Sequence, residues 1–265
     1  VSLTPCVTRG VWCMSRMISK LNAVVVEVTD LAAAVHDYEA LTGVAGVLGP
    51  FRGDDSACFQ LTNVCLRLVT TGGRQGLKQL VFQSGDLAAA KQRLKSMGIS
   101  VIDAESDDDF LSLSSDTTRG ISLAVTTAMD STVLNEATTP LIAGLDHAVI
   151  ASGDGDYTAA LLSARLQLDM RLDLTNPDWD SRLMFFRCGD LIIEVYQPLS
   201  KPLPVAQDRF FGLSWRTLDI DETHGLLSAR GFNVSPVKAG RKPGTRVCTV
   251  RDKTHGVPTL ILGSN

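Results

Sequence analysis

The sequence predicts an α+β fold: four βαβββ modules paired into two cupped, incomplete mixed β-barrels, with the helices outside. Three observations predict it. A strand, turn and helix pattern recurs four times along the 265 residues. Each occurrence is followed by two clear apolar, alternating runs of strand length. A polar stretch, MDSTVLNEATTPLIAG, divides the four occurrences into two pairs and has the composition of a linker. A lone module of this kind has one apolar sheet face and cannot bury it unaided, so the modules pair.

In chain order, the opening strands and helices are LNAVVVEVTDLAAAVHDYEALTGV, LKQLVFQSGDLAAAKQRLKSMGI, LDHAVIASGDGDYTAALLSARLQL and LSWRTLDIDETHGLLSARGF. Asp30, Asp86 and Asp221 stand where an N-cap accepts the first free helical N–H groups. Gly98 and Gly231 suit left-handed C-caps. The strand pairs that follow are ACFQLTN and VCLRLVTT, DFLSLSS and GISLAVTTA, RLMFFRC and DLIIEVYQP, and TRVCTVRD and VPTLILG. Weaker extended pieces precede them: GVLGPF, SVIDAE, MRLDLT and NVSPVK. Taking the third residue of each opening strand gives Ala23, Gln79, His147 and Trp215. The matching closing-strand positions are Arg67, Leu123, Glu194 and Leu260, at a nearly constant offset. The domains follow: residues 1–17, a non-native or disordered extension; 18–128, modules one and two; 129–140, a linker; and 141–265, modules three and four.

Apolar residues make up 45% of the chain and the net charge is -4, which fits a globular protein with a large core and gives no global basic field for nucleic acid. One local basic stretch, Lys238 to Arg246 (KAGRKPGTR), reads as a solvated loop between strands in preference to an anion site. No apolar run reaches the roughly 18 residues of a membrane span. The six cysteines (Cys6, Cys13, Cys58, Cys65, Cys188, Cys248) have no CxxC or metal-finger spacing and read as buried free thiols in a reducing compartment. A cytoplasmic protein, monomer or homodimer, with a small-molecule ligand or substrate and neither nucleic acid nor membrane as partner, is the expectation. The aspartate run in ESDDDF lacks the alternation of a calcium loop.

The repeated module, the opening LDHAVI and the closing LIIEVYQP resemble the vicinal oxygen chelate superfamily, which includes glyoxalase I, extradiol dioxygenases and bleomycin-binding proteins. The resemblance runs from about Ile18 to the C-terminus and is strongest in the second half, where GLSWRTLDID and KPGTR are similar to glyoxalase-like domains. It implies a metal in the cup between paired modules, held from opening and closing strands. Carried over, only His147 and Glu194 have ordinary ligand chemistry, so the implied cofactor is one divalent ion (Zn, Fe, Mn or Ni) with an incomplete ligand set. The missing histidine at Trp215 and glutamate at Leu260 speak against an extradiol dioxygenase, and Trp215→His is expected to rebuild a third ligand. His36, His224 and His255 read as surface histidines.

The predicted site is therefore His147 and Glu194 as metal ligands or as an acid–base pair. Trp215 and Tyr196 join them by strand alternation, and Arg182 and Arg246 are expected to bind an anionic substrate. Arg187 and Arg251 lie on the opposite faces of those strands. The resemblance implies a lyase or isomerase working through an enolate-like intermediate. The alternatives are a non-catalytic binder of a small aromatic compound, with Phe185 and Phe186 as further contacts, and a structural subunit with a decayed site.

Overall fold

The computed structural model describes residues 17–127 and 140–264. The expected extension and linker fall almost wholly outside the described residues. In the first half, β1 (Lys20–Glu27) is an almost continuously buried run. It passes into α1 (Leu31–Thr42), where the Asp30 carboxylate accepts the Ala33 N–H and Gly43 closes the helix at φ 74°. β2 (Val47–Phe51), β3 (Asp54–Gln60) and β4 (Cys65–Val69) then meander antiparallel, and β4 returns parallel to β1. The second module runs β5 (Gly76–Gln83), α2 (Leu87–Ser96), β6 (Phe110–Ser112) and β7 (Leu123–Thr126), with Asp86 as N-cap. Its expected first strand in SVIDAE shrinks to one bridge, Val101 to Leu113, because the chain coils into a 3-10 turn at Asp103–Glu105.

The second half repeats the plan: β8 (Gly144–Ala151), α3 (Gly155–Ala160), β9 (Asp169–Asn176), β10 (Ser181–Cys188), β11 (Leu191–Pro198), then β12 (Arg209–Arg216), α4 (Ile220–Ala229), β13 (Lys238–Ala239), β14 (Thr245–Val250) and β15 (Thr259–Ser264). α4 is capped by Asp219, which accepts the Asp221 and Glu222 N–H groups; Asp221 itself sits in the first turn. The result is two mixed sheets, ordered β2-β3-β4-β1-β5-β7-β6 and β13-β14-β15-β12-β8-β11-β10-β9. Within each, two opening strands pair antiparallel at the centre and each has its closing strand parallel on the far side.

One core runs through both halves, built on the helix-facing sides of the sheets and including Leu66, Phe82, Phe186 and Trp215. Polar contacts tie the halves together. The Tyr38 hydroxyl donates to Thr254 O at 3.1 Å, and His255 Nε2 lies 3.0 Å from Asp37 Oδ2. The Arg119–Asp208 pair, 3.0 Å apart, is nearly fully buried, and Asp208 also accepts from the Thr158 hydroxyl.

The first cup is filled by its own side chains: Ala23, Val25, Val69, Val81, Phe110 and Ala124 pack there, and the Arg67 guanidinium lies over the Phe51 ring at 4.5 Å. Cys58 and Cys65, expected as free thiols, form a disulfide between β3 and β4. Their strands place Cys58 opposite Arg67 and Cys65 opposite Gln60, two residues apart in the ladder. Cys188 and Cys248 are free and buried. No helix among the described residues is long and apolar enough to cross a membrane.

Trp215, 1% exposed, is the largest fully buried side chain of this core. Replacing it with Ala leaves a cavity between the β12 face and the helices, and about 3–5 kcal/mol of stability is lost. Urea unfolding measures this; a loss under about 1 kcal/mol would mean that the indole does not pack in the core.

Candidate functional site: an imidazole between two carboxylates

The parallel pairing of β8 with β11 sets Ile192 opposite His147 and Glu194 opposite Val149. Residues two apart share a face, so the imidazole and carboxylate project from neighbouring strands into the second cup. His147 Nε2 stands 3.5 Å from Glu194 Oε2, with the two side chains 16% and 12% exposed. Both side chains keep a small part of their surface open to solvent.

Asp146 completes the arrangement. In a regular strand it would point away from His147. The ladder between β8 and β12, however, steps from Ser214–His147 to Trp215–Leu145, leaving Asp146 as a bulge residue. Its Oδ2 then lies 2.8 Å from His147 Nδ1. Arg216 Nε donates to Asp146 Oδ1 at 3.2 Å, while the same guanidinium reaches Asp190 Oδ2 at 3.3 Å and the Asp190 carbonyl. From the first half, Asn63 Nδ2 donates to Asp190 Oδ2 and to Leu145 O. Sequence reasoning missed Asp146, Asp190, Arg216 and Asn63. LDHA contained a signal for the first, but alternation argued against it.

The two carboxyls are pushed in opposite directions. Burial raises Glu194, and the charge of Asp146 adds to it; the cations of His147 and Arg241 oppose without prevailing. Burial also acts to raise Asp146, but the hydrogen bond and charge of His147, with Arg216 behind them, outweigh it and hold that carboxyl below its ordinary value. An ionised Asp146 accepts a hydrogen bond from the Nδ1–H group, and Nε2 is the ring atom turned toward Glu194.

Other predicted residues take different places. Tyr196 shares the Glu194 face, with its ring centroid 6.0 Å from that of Phe211. Trp215 is buried in the core on the opposite face and does not enter the cup. Arg182 also faces away, pairing with Asp173 on β9 and Asp156 on α3. Arg246 pairs with Asp221 on α4. Both arginines fasten helices to the outer sheet face, because each strand turns its intervening residues inward. Phe186 is core; Phe185 is on the cup side, opposite Glu194. His36 is exposed on α1, while His255 is half-buried, its ring stacked on Tyr38.

Register corrects two of the equivalent positions. His147 pairs with Ser214 and Val149 with Gly212, so the axis relating β8 to β12 exchanges His147 with Gly212. In the first half Ala23 pairs with Val81 and Val25 with Gln79, which makes Ala124, not Leu123, the counterpart of Arg67. The error at Trp215 arose because β12 starts at Arg209 and bulges at Phe211, ahead of its apolar run. The cup therefore offers His147, Glu194, Gly212 and Leu260. Catalytic metal sites ordinarily use three protein ligands, and only two donors stand here. A Cβ at Gly212 would lie 2.4 Å from Pro258 O, so no side chain fits there. Among the described residues no group of three His, Cys, Asp or Glu has metal-holding geometry. These residues do not fit the metal that the resemblance implied, and Trp215→His cannot supply a ligand.

Paired antiparallel opening strands, each with its closing strand parallel and its helix outside, define the vicinal oxygen chelate fold in both halves. Residues 146–249 match the family model of the Glyoxalase/Bleomycin resistance protein/Dioxygenase superfamily. No curated protein matches the chain in sequence. Among solved structures, a mutant of 4-hydroxymandelate synthase from Streptomyces coelicolor is 14% identical, with 94% of this chain and 93% of that one aligned at a TM-score of 0.71. The Mn(II)-bound glyoxalase from Novosphingobium aromaticivorans is 15% identical, covering 93% and 82% at 0.67. The 2,3-dioxygenase LapB from Pseudomonas sp. KL28 is 15% identical, covering 94% and 93% at 0.67. At these identities the likeness shows the fold.

Carbon-13 titration of the carboxyl groups should place the Glu194 midpoint above, and the Asp146 midpoint below, the ordinary carboxylate range. Equal midpoints would show that the ring of His147 does not separate them.

Proposed function

We propose that the second cup binds a small organic molecule and moves a proton on it, as an isomerase or lyase, with His147 and Glu194 as an acid–base pair. The observation that carries this reading is the imidazole held between two carboxyls whose proton affinities are driven apart, an arrangement that assigns separate acid and base roles. His147 Nε2 takes a proton from a carbon next to a carbonyl: the C–H bond breaks, the N–H bond forms and the electron pair moves onto the carbonyl oxygen. Glu194, raised by its burial, gives its proton to that oxygen. Asp146 stabilises the imidazolium and keeps the ring oriented. Reprotonation at the same or a neighbouring carbon completes an isomerisation; expulsion of a β-substituent completes an elimination.

Metal-assisted chemistry, the other form of the reading, finds no group of three His, Cys, Asp or Glu ligands among the described residues. A non-catalytic binder is the second reading. It is favoured by the exposed apolar side chains of Leu172 and Leu174, whose register with Phe185 and Leu183 puts them on the cup face.

The test is exchange in D2O. A panel of small 2-hydroxy and 2-keto carboxylic acids, together with neutral ketones, is incubated with the protein, and loss of the C–H signal beside the carbonyl is followed by proton NMR. Exchange should accelerate with at least one compound, and His147→Gln should slow it about 100-fold or more, Glu194→Gln somewhat less. Acceleration that survives in His147→Gln would refute the assignment. Binding without exchange, unaffected by either substitution, would establish the second reading.

A further inference from the structure

The sheet that forms the second cup has β13 and β9 as its two edges. Arg241 lies in the turn that follows β13, and Trp179 in the 3-10 turn Pro177–Trp179 that follows β9. The Arg241 guanidinium nonetheless sits over the Trp179 ring, 5.0 Å from its centroid. That contact joins the two ends of the curled sheet and closes the ring of structure around the cup.

Several arginines of this half are engaged by carboxylates, and Arg241 is not among them. Arg171, Arg182, Arg216 and Arg246 each lie within ion-pair distance of a carboxylate. Arg241 is exposed and, among the described residues, has no carboxylate at that distance. Its charge is felt at Glu194, on the floor of the cup. The turn that carries it is tightly built. Gly240 N donates to Thr245 O at 2.8 Å, Thr245 N to Lys242 O at 3.1 Å, and Gly244 takes φ 77°. A Cβ at Gly240 would crowd the Thr245 side chain. Holding an unneutralised guanidinium over a ring by an ordered turn has a cost in chain entropy, which a bound anion would offset.

We infer that Arg241 is an anion-recognition residue of the cup, taking the carboxylate of a small organic acid whose apolar body lies against Leu172, Leu174 and Phe185. The inference rests on the reading of the cup as a small-molecule site and adds the substrate class to it. The guanidinium sits over the Trp179 ring, and its N–H groups can meet a carboxylate in bidentate fashion. The basic stretch around it, which the sequence presents as a solvated loop, thereby acquires a role at the mouth of the cup. Arg182 and Arg246, the arginines expected to do this work, are engaged with helix carboxylates on the other side of the sheet.

Calorimetric titration of the full chain with benzoate and phenylacetate, and with benzamide as neutral counterpart, tests it. The acids should bind more tightly than the amide. Arg241→Gln should weaken the acids about tenfold or more and leave the amide unchanged, with Arg241→Lys in between. Equal affinity for acid and amide in the unmodified protein, or acid binding indifferent to Arg241→Gln, would overturn the inference and leave the cup as a site for neutral molecules. A parallel loss of acid and amide binding in Arg241→Gln would overturn it too, since it would show a structural role. Failure of all three compounds to bind would count against the cup reading as well.

Discussion

The parallel pairing of each module's first strand with its last is the constraint on which the rest depends. It brings residues far apart in sequence, His147 and Glu194 among them, onto one face of adjacent strands. It also commits the intervening strands to the outer flank of the sheet and the helix to its back. Antiparallel pairing of two first strands then sets two such units side by side, and the twist of the eight-stranded sheet curls its ends toward each other. Site and fold are thus fixed by the same ladders.

The two halves use this frame differently. In the first, the concave face is packed with Val25, Val81 and Phe110, and the position corresponding to Glu194 is Arg67, whose guanidinium covers an aromatic ring. That half gives the second a structural mate. It contributes Asn63, which braces Asp190 behind the polar chain leading to His147, and the buried Arg119–Asp208 pair at the junction. A buried charge pair of this kind is costly to break, because either partner alone would be an uncompensated ion. In the second half the concave face keeps an imidazole and a carboxyl partly open to solvent, with apolar side chains around them.

Charge is distributed with similar economy. Arg182 and Arg246, on equivalent strands, fasten α3 and α4 to the outer face of the sheet, while Arg216 holds the bulged Asp146 in place against His147. Local departures from regular structure shape the site. The bulge at Asp146 turns two consecutive side chains into a hydrogen-bonded pair, and the bulge at Phe211 puts Gly212, which has no donor, where a second ligand would otherwise stand.

By itself, the sequence determined the module count, the N-caps Asp30 and Asp86, the left-handed glycines Gly98 and Gly231 that end α2 and α4, and the shared face of His147 and Glu194. These follow from periodicities of 2 and 3.6 and from short-range capping chemistry, which act within a few residues and leave a direct trace in the order of side chains. Tertiary structure alone decided the rest. The direction of Trp215 depended on where β12 begins and where it bulges; the occupation of Arg182 and Arg246 depended on carboxylates brought up by α3 and α4; the Cys58–Cys65 pairing depended on the β3–β4 register. The Asp146–His147 contact and the meeting of Arg241 with Trp179 belong to the same class. A bulge reverses alternation without changing composition, and the closure of a curled sheet joins residues that no local pattern relates.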